Sequence, residues 1–131
     1  MVRQQSGFTL IELIAVIVIL GVLSAVAIPR FIDLSAAAEQ SAVDGVAGAL
    51  GAASALNHAN NIADDAGLTT PTAVVSVANC TDVANALDGG LDADYAITAA
   101  AIAPEGASLV CTVTLTAAGT TATFTGFAAT P

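Results

Sequence analysis

The N-terminal part of the chain contains one long apolar segment. Residues 8–29 read FTLIELIAVIVILGVLSAVAIP, and Glu12 is the single ionisable side chain among them. A helix rises about 1.5 Å per residue, so this segment is long enough to span the roughly 30 Å hydrocarbon core of a bilayer. The remaining residues are too few and too rich in alanine to surround a helix that is apolar on all faces. The segment therefore predicts a membrane span or a helix buried in a bundle of similar helices.

The residues before this segment differ from an ordinary secretory signal, which places its small-residue cleavage site after the apolar stretch. Here the small residue comes first, because residues 1–7 (MVRQQSG) form a short polar leader that ends in Gly7. Cleavage after Gly7 would leave the apolar helix on the mature protein. Arg3 predicts a cytoplasmic N-terminus by the positive-inside rule, so the C-terminal part is expected in the periplasm or outside the cell.

The composition excludes some classes of protein. A length of 131 residues allows one modest domain with an appendage and excludes a large multidomain enzyme. Only 10% of the residues are charged, and 11 acidic residues stand against two basic ones, Arg3 and Arg30. Neutralising phosphates requires clustered lysine and arginine. Nucleic-acid binding by this chain is therefore not expected.

The junction between leader and helix carries a specific combination of residues. The seven-residue leader ends in Gly7, Phe8 follows, and Glu12 is the fifth residue after the glycine. Together with the apolar helix, this pattern strongly resembles the N-terminus of type IV pilins and related pseudopilins. The likeness covers about residues 1–60, and Pro29-Arg30-Phe31-Ile32-Asp33-Leu34 is most similar to pilins of the mannose-sensitive haemagglutinin type.

The resemblance implies roles for Gly7, Phe8 and Glu12. A prepilin peptidase is expected to cut between Gly7 and Phe8 and to methylate the new amine of Phe8. Glu12 of one subunit is then expected to attract the Phe8 amine of another and so set the axial register of a filament. The residues also allow a local role, because Thr9 and Glu12 fit a capping box at the helix start. The two roles can coexist.

Gly21 and Pro29 are the expected positions of a helix break. Glycine weakens a helix by about 1 kcal/mol, and proline at position 29 removes the hydrogen bond to the Ala25 carbonyl. A simple kink would accommodate both residues. The resemblance implies more, namely that residues 22–28 lose helicity in the assembled filament.

Beyond the apolar segment the pattern becomes amphipathic and predicts that the helix continues to about Asn61. Apolar and small residues recur there near the helical period of 3.6, namely Phe31, Leu34, Val43, Val46, Ala47, Leu50 and Ser54. The sequence leaves open whether Arg30 pairs with Asp33, pairs with an acid of a neighbouring subunit, or is solvated.

The C-terminal part predicts short strands at 73–77, 95–102, 108–116 and 121–127, with a helical turn at 81–87. One apolar strand face is expected to pack on Val43, Val46 and Leu50 of the helix, and it is formed by Leu109, Cys111, Val113 and Leu115. The predicted fold is α+β: a long N-terminal helix, the spine, packed on a small C-terminal antiparallel sheet, as in the type IV pilin fold. The expected divisions are 1–7 (cleaved leader), 8–29 (transmembrane and filament-core helix), 30–61 (amphipathic continuation) and 62–131 (globular sheet domain).

Few residues suggest other chemistry. Cys80 and Cys111 lie in the part expected outside the cytoplasm and lack CxxC spacing, which favours a disulfide over a metal or redox site, in agreement with the pilin resemblance. His58 fits no catalytic motif and is interpreted as a surface or packing residue. Residues 88–94 (DGGLDAD) weakly resemble a calcium loop but lack the EF-hand order, so an acidic turn is expected and calcium binding stays open. No catalytic residue, metal or cofactor is predicted.

These observations predict a structural subunit and not an enzyme. The chain is expected to polymerise through its apolar helix into a type IV pilus that serves surface attachment and motility. The resemblance implies as partners further copies of the chain, a prepilin peptidase, an inner-membrane assembly platform and, before assembly, the membrane. The expected locations are the inner membrane for the precursor and then the extracellular pilus. The alternative is a pseudopilin that forms a short periplasmic filament in a type II secretion system.

Overall fold

The structure, a computed structural model, describes residues 7–131, apart from the side chains of Ile32 and Asp33, and the leader residues 1–6 lie outside the described part. The elements follow in the order helix α1 (Leu10–Asp65), a 3-10 helix (Cys80–Ala86), and strands β1 (Tyr95–Ile97), β2 (Ser108–Leu115) and β3 (Thr120–Phe127). This is the α+β arrangement that the sequence predicts.

Helix α1 ends later than the sequence pattern indicates. Gly67 adopts a positive φ of 73° and follows the last helical turn. The Leu68 N–H donates to the Ala63 carbonyl at 2.9 Å, and the Gly67 N–H donates to the Asp64 carbonyl at 2.8 Å. This pair of bonds is a Schellman motif, which satisfies the last free carbonyls of a helix. The prediction that the helix ends near Asn61 was therefore wrong, because the stop signal is Gly67.

The chain divides into two compact units, Met1–Ala37 and Ala38–Pro131. The described part of the first unit is the start of α1 and the three residues before it. The second unit contains the remainder of α1, the 3-10 helix and the sheet. Its sheet is antiparallel with strand order β1-β2-β3, and Gly119, with φ 71°, forms the turn between β2 and β3.

The predicted strand at 73–77 is absent as a strand. Val77 forms only an isolated bridge with Ala129. The side chain of Asn57 replaces a neighbouring strand, because its Nδ2 donates to the Val75 carbonyl and its Oδ1 accepts from the Val75 N–H, both at 2.8 Å. An amide side chain offers one donor and one acceptor, as a peptide group does. The segment is thus extended but is held by helix α1.

The predicted strand at 95–102 is shorter than expected. Strand β1 covers Tyr95–Ile97 only, and Tyr95 pairs with Leu115 while Ile97 pairs with Val113. After it, the Ala100 N–H donates to Oδ1 of Asn79 at 3.0 Å instead of to a strand. The other two strands and the helical turn lie within one residue of their predicted bounds.

The core of the second unit lies between the buried face of α1 and one face of the sheet. It contains Val43, Ala47, Leu50, Val77, Cys80, Val83, Ile102, Cys111, Val113, Phe124 and Ala128. Cys111 and Val113 are buried as predicted, and Val46 and Leu115 pack at the edge of the core. Leu109 is exposed, contrary to the prediction, and it pairs with Gly126 near the end of the sheet.

Candidate functional site: the N-terminal junction and the exposed helix

The junction between the leader and the helix is accessible. Gly7, Phe8 and Thr9 precede the first helical residue and have no regular secondary structure. Both Gly7 and Phe8 are exposed, and the Phe8 ring leaves 83% of its surface open. Exposed, non-helical backbone is where proteases cleave most readily. The Gly7–Phe8 bond thus lies in exposed, non-helical backbone, and cleavage at this bond stays a prediction.

Thr9 and Glu12 form the capping box that the sequence allows. The Glu12 N–H donates to the Thr9 hydroxyl at 3.3 Å, while Oε2 of Glu12 accepts from the Thr9 N–H at 3.2 Å and from its hydroxyl at 2.9 Å. These bonds satisfy two of the free N–H groups at the start of the helix. A negative charge at this end also complements the helix dipole.

The capping box leaves part of the Glu12 carboxylate available. Both bonds from Thr9 end on Oε2, and no donor among residues 7–131 is bound to Oε1. An ionised carboxylate accepts several hydrogen bonds at once. The local capping role and an interaction with a second chain are therefore compatible in this geometry.

The first unit presents apolar side chains in every direction around the helix. The large apolar residues of 10–34 with described side chains are all 48–77% exposed, with Val16 the least and Leu10 the most. By length and composition this part of α1 can cross a membrane, and none of that apolar window is buried within the chain. Leaving such a surface in water is unfavourable by roughly 25 cal/mol per Å². The helix therefore requires lipid or protein around it.

The two expected break positions lie inside a continuous helix. Helix α1 runs through Gly21 and Pro29 without interruption. The hydroxyl of Ser24 donates to the Leu20 carbonyl at 2.7 Å, a bond that Ser and Thr commonly make within membrane helices. The expected loss of helicity concerns the assembled filament, and for that state it stays a prediction.

The second unit carries the disulfide bond that the sequence predicts between Cys80 and Cys111. Their Cα atoms lie 5.7 Å apart, and both residues are buried. Cys80 is the first residue of the 3-10 helix, whose Asn79 and Asp82 form a capping box, and Cys111 lies in β2. The bond therefore joins the 3-10 helix to the central strand of the sheet.

Sequence reasoning missed the role of the polar residues on the buried face of α1. The spacing that brings Leu50 into the core continues with Ser54, Asn57 and Asn61, which are all buried. The Ser54 hydroxyl accepts from the Phe127 N–H at 2.9 Å, and Asn61 Nδ2 donates to Oε1 of Glu105 at 2.9 Å. The sequence contained a signal for this role, namely polar residues at the spacing of the buried helix face, because buried polar side chains need hydrogen-bond partners. Here these partners are loop segments and a strand end.

His58 and the acidic turn are not assembled into a site with other functional groups. The His58 ring stacks on Phe127 with ring centroids 4.8 Å apart, in agreement with a packing role. In the acidic turn, Oδ1 of Asp92 accepts from the Asp94 N–H at 2.9 Å, which accounts for part of the turn geometry. Within the described residues, no three His, Cys, Asp or Glu side chains are grouped so that they could hold a metal ion.

Comparison with known proteins agrees with the N-terminal site. The family described as Prokaryotic N-terminal methylation motif matches residues 2–28. The type IV narrow pilus major component of Thermus thermophilus is 56% identical over 53 residues, which are 40% of this chain and 46% of that protein. The type II secretion system core protein G of Pseudomonas aeruginosa is 41% identical over 61 residues, which are 47% of this chain and 43% of that protein. No solved structure matches the chain.

The chain thus combines an N-terminal segment that matches a methylation-motif family with an exposed apolar helix and a small antiparallel sheet. In this N-terminal part the chain is similar to a type IV pilus component and to a secretion-system core protein. The matched part spans less than half the length of either curated relative. Neither relative is named as a mannose-sensitive haemagglutinin pilin, so that narrower resemblance stays a prediction.

Proposed function

We propose that this chain is a structural subunit that polymerises into a type IV pilus through its N-terminal helix. The observation that carries the proposal is the helix surface at residues 13–29, which has no charged side chain and is exposed in the single chain. In a membrane, lipid covers this surface, and in a filament the same surface of neighbouring copies covers it. The chain acts by assembly, with no catalytic step assigned to its residues.

The proposed maturation begins at the exposed Gly7–Phe8 bond. A prepilin peptidase cuts this bond and methylates the amine of Phe8, which still carries a positive charge. The Glu12 carboxylate keeps Oε1 free of donors from its own described residues, and it attracts the Phe8 amine of another copy. Pairing of these charges in an apolar bundle is favoured, because either charge left alone there is costly.

The proposed course runs from the inner membrane to the cell surface. The precursor spans the inner membrane with its C-terminal unit outside the cytoplasm, in accord with the Cys80–Cys111 disulfide, a bond typical of oxidising compartments. An assembly platform in the inner membrane then adds subunits to the growing filament. The filament serves surface attachment and motility.

Electron microscopy of sheared surface material, combined with mass spectrometry, tests this proposal. We expect long fibres that consist mainly of this chain and an N-terminus that begins at Phe8 with one added methyl group. Deletion of the gene should remove the fibres. Fibres that persist unchanged after deletion, or a chain that retains Met1–Gly7 on the cell surface, would contradict the proposal.

The match to a secretion-system core protein supports a second candidate, a pseudopilin in a short periplasmic filament. The pilus relative shows the higher identity, 56% against 41%, and we therefore place the pilus first. Electron microscopy of sheared surface material also distinguishes a pilus subunit from a pseudopilin. A pseudopilin gives no long surface fibres in the native cell, and its deletion abolishes secretion of folded proteins.

A further inference from the structure

The first backbone hydrogen bond of α1 shows where the helix begins. The Leu13 N–H donates to the Thr9 carbonyl at 3.3 Å. In a helix longer by one residue, the preceding bond would run from the Glu12 N–H to the Phe8 carbonyl. Here the Glu12 N–H donates to the Thr9 hydroxyl instead, also at 3.3 Å. The Thr9 side chain therefore takes the donor that a helix extended to Phe8 would use.

The other half of the capping box acts in the same direction. The Thr9 N–H donates to Oε2 of Glu12 at 3.2 Å. In an extended helix this N–H would instead donate to the carbonyl four residues earlier. An N-cap residue has non-helical backbone angles, and residues 7–9 have no regular secondary structure. The capping box thus holds Gly7 and Phe8 outside the helix.

Extension of the helix by two residues would change the bond at which cleavage is proposed. The Ile11 N–H would then donate to the Gly7 carbonyl, which is the carbonyl that a peptidase must attack. By residue type Ser6 could start this longer helix, because serine is a preferred N-cap and Gly7 would follow it as the first helical residue. Proteases cleave exposed, non-helical backbone most readily. The choice between these two helix starts therefore controls access to the Gly7–Phe8 bond.

We propose that Thr9 is a positioning residue for processing, because its capping box starts α1 at Leu10 and keeps the Gly7–Phe8 bond non-helical for the peptidase. The inference rests on the proposed function and deepens it, since it adds a requirement beyond the two residues at the cut. Thr9 acts through the conformation of the backbone and not through contact with the peptidase. This role is separate from the charge of Glu12, because glutamine at position 12 also completes a capping box.

Cleavage of the full-length precursor in detergent, by membranes that contain a prepilin peptidase, tests the role of Thr9. Thr9→Val removes the hydroxyl at nearly constant volume, and kcat/KM should fall about fivefold, the change in equilibrium that corresponds to loss of a typical N-cap. The loss should appear as a higher KM with an unchanged kcat, because only the non-helical fraction of the substrate binds. Filaments still form from this variant, since cleavage is slowed and not abolished.

Two matched variants control this measurement. Thr9→Ser keeps the capping hydroxyl and should be cut at the rate of the unaltered chain. Ser24→Ala removes a hydroxyl farther along the same helix, where it donates to the Leu20 carbonyl, and should also be cut normally.

Thr9→Pro separates the conformation of the backbone from recognition of the hydroxyl. Proline has no hydroxyl, is tolerated in the first helical turn and disfavours the helical conformation of the residue before it, here Phe8. We therefore expect Thr9→Pro to be cut faster than Thr9→Val. The chemical shift of the Phe8 Cα atom, measured by nuclear magnetic resonance on the same precursors, should move toward helical values in Thr9→Val and not in Thr9→Ser.

The outcomes distinguish this inference from the proposed function. If the unaltered chain is not cut at Gly7–Phe8, the proposed maturation itself fails. If the unaltered chain is cut but Thr9→Val shows the same kcat/KM or the same Phe8 chemical shift, the positioning role of Thr9 is wrong. Cleavage of Thr9→Pro as slow as that of Thr9→Val would also overturn it, because the peptidase would then recognise the hydroxyl itself.

Discussion

The two parts of helix α1 use apolar residues in opposite ways. In the first unit Leu20 and Leu23 are 56% and 59% exposed among the residues that the structure describes. In the second unit Val43 and Leu50 are completely buried against the sheet and the 3-10 helix. Apolar side chains of the second unit are therefore buried by the chain itself. Those of the first unit need lipid or other protein molecules to cover them. Folding should depend on the second unit and assembly on the first, and substitutions can separate the two.

The largest effect is expected from Glu12→Gln in the first unit. The amide oxygen can still accept from Thr9, so the helix start is retained, but the negative charge is lost. We expect normal processing and membrane insertion and an almost complete loss of filaments, measured by electron microscopy and by mass spectrometry of the N-terminus. Thr9→Val is the matched control, because it removes the capping hydroxyl and keeps the charge, and it should still give filaments. Filaments in normal number from Glu12→Gln would refute the assembly role.

The next largest effect should come from loss of the disulfide in the second unit. The double variant Cys80→Ala/Cys111→Ala opens a loop with a sequence separation of 31 residues. We expect the free energy of unfolding to fall by about 3–4 kcal/mol, since the cross-link restricts the unfolded chain. Denaturant unfolding of the processed full chain in detergent, followed by the fluorescence of Tyr95 beside the core, measures this. Equal midpoints for the variant and the unaltered chain would show that the bond contributes nothing.

A leucine pair compares the two units directly. Leu50→Ala in the second unit should lower the free energy of unfolding by about 3 kcal/mol, because it leaves a cavity in a closed core. Leu23→Ala in the first unit should leave the same transition unchanged, because Leu23 is exposed and belongs to the other unit. The same fluorescence assay serves for both variants. A comparable loss from Leu23→Ala would mean that the two units do not fold independently.

Replacing two glycines of the second unit by alanine should change the free energy of unfolding in opposite directions. A Cβ at Gly126 would lie 2.9 Å from Cδ1 of Ile102 and 3.0 Å from Sγ of Cys111, so Gly126→Ala should cost about 1–3 kcal/mol by overpacking. Gly48 has open space around it in α1, and Gly48→Ala should stabilise the helix by up to about 1 kcal/mol. A higher unfolding midpoint for Gly126→Ala would contradict the packing described around Gly126, and a lower one for Gly48→Ala would contradict the expected gain in helix stability.

The sequence predicted those features that follow from long, regular patterns. The apolar run, the later period of 3.6 and the alternation in β2 predicted the helix, its buried face and the central strand. The resemblance of the N-terminus rested on the order of its residues, and the family match to residues 2–28 agrees with it, while the roles of Gly7, Phe8 and Glu12 stay predictions. Such features depend on local spacing, and local spacing is what a single sequence displays.

The features that the sequence did not predict depend on contacts between distant residues. The segment at 73–77 has strand-like composition, but Asn57 in α1 occupies the hydrogen-bonding positions of Val75. Leu109 continues the apolar alternation of β2 but faces the glycine at position 126. In the first case local propensity agreed with a strand, and a residue elsewhere in the chain took the hydrogen bonds that a strand would make.

The smallest predicted effect is on the stability of the second unit at low pH, and it depends on the hydrogen bond between Asn61 of α1 and Glu105. The side chain of Asn61 donates to Glu105 at 2.9 Å, and this bond, with a further one from Thr130, holds the pKa of Glu105 below its ordinary value of 4.5. Because the pKa is lower in the folded chain, Glu105 contributes stability above its ordinary pKa, and that contribution is lost as the pH falls through the folded value. The carboxylate is exposed, so solvent keeps the effect small. We therefore expect Glu105→Gln to lose less stability than the unaltered chain between pH 7 and pH 3, measured as the shift of the second unit's unfolding midpoint. Asp88→Asn, a change in the exposed acidic turn, is the control and should follow the unaltered chain. An equal shift for all three chains would mean that the bond from Asn61 does not favour the ionised form of Glu105.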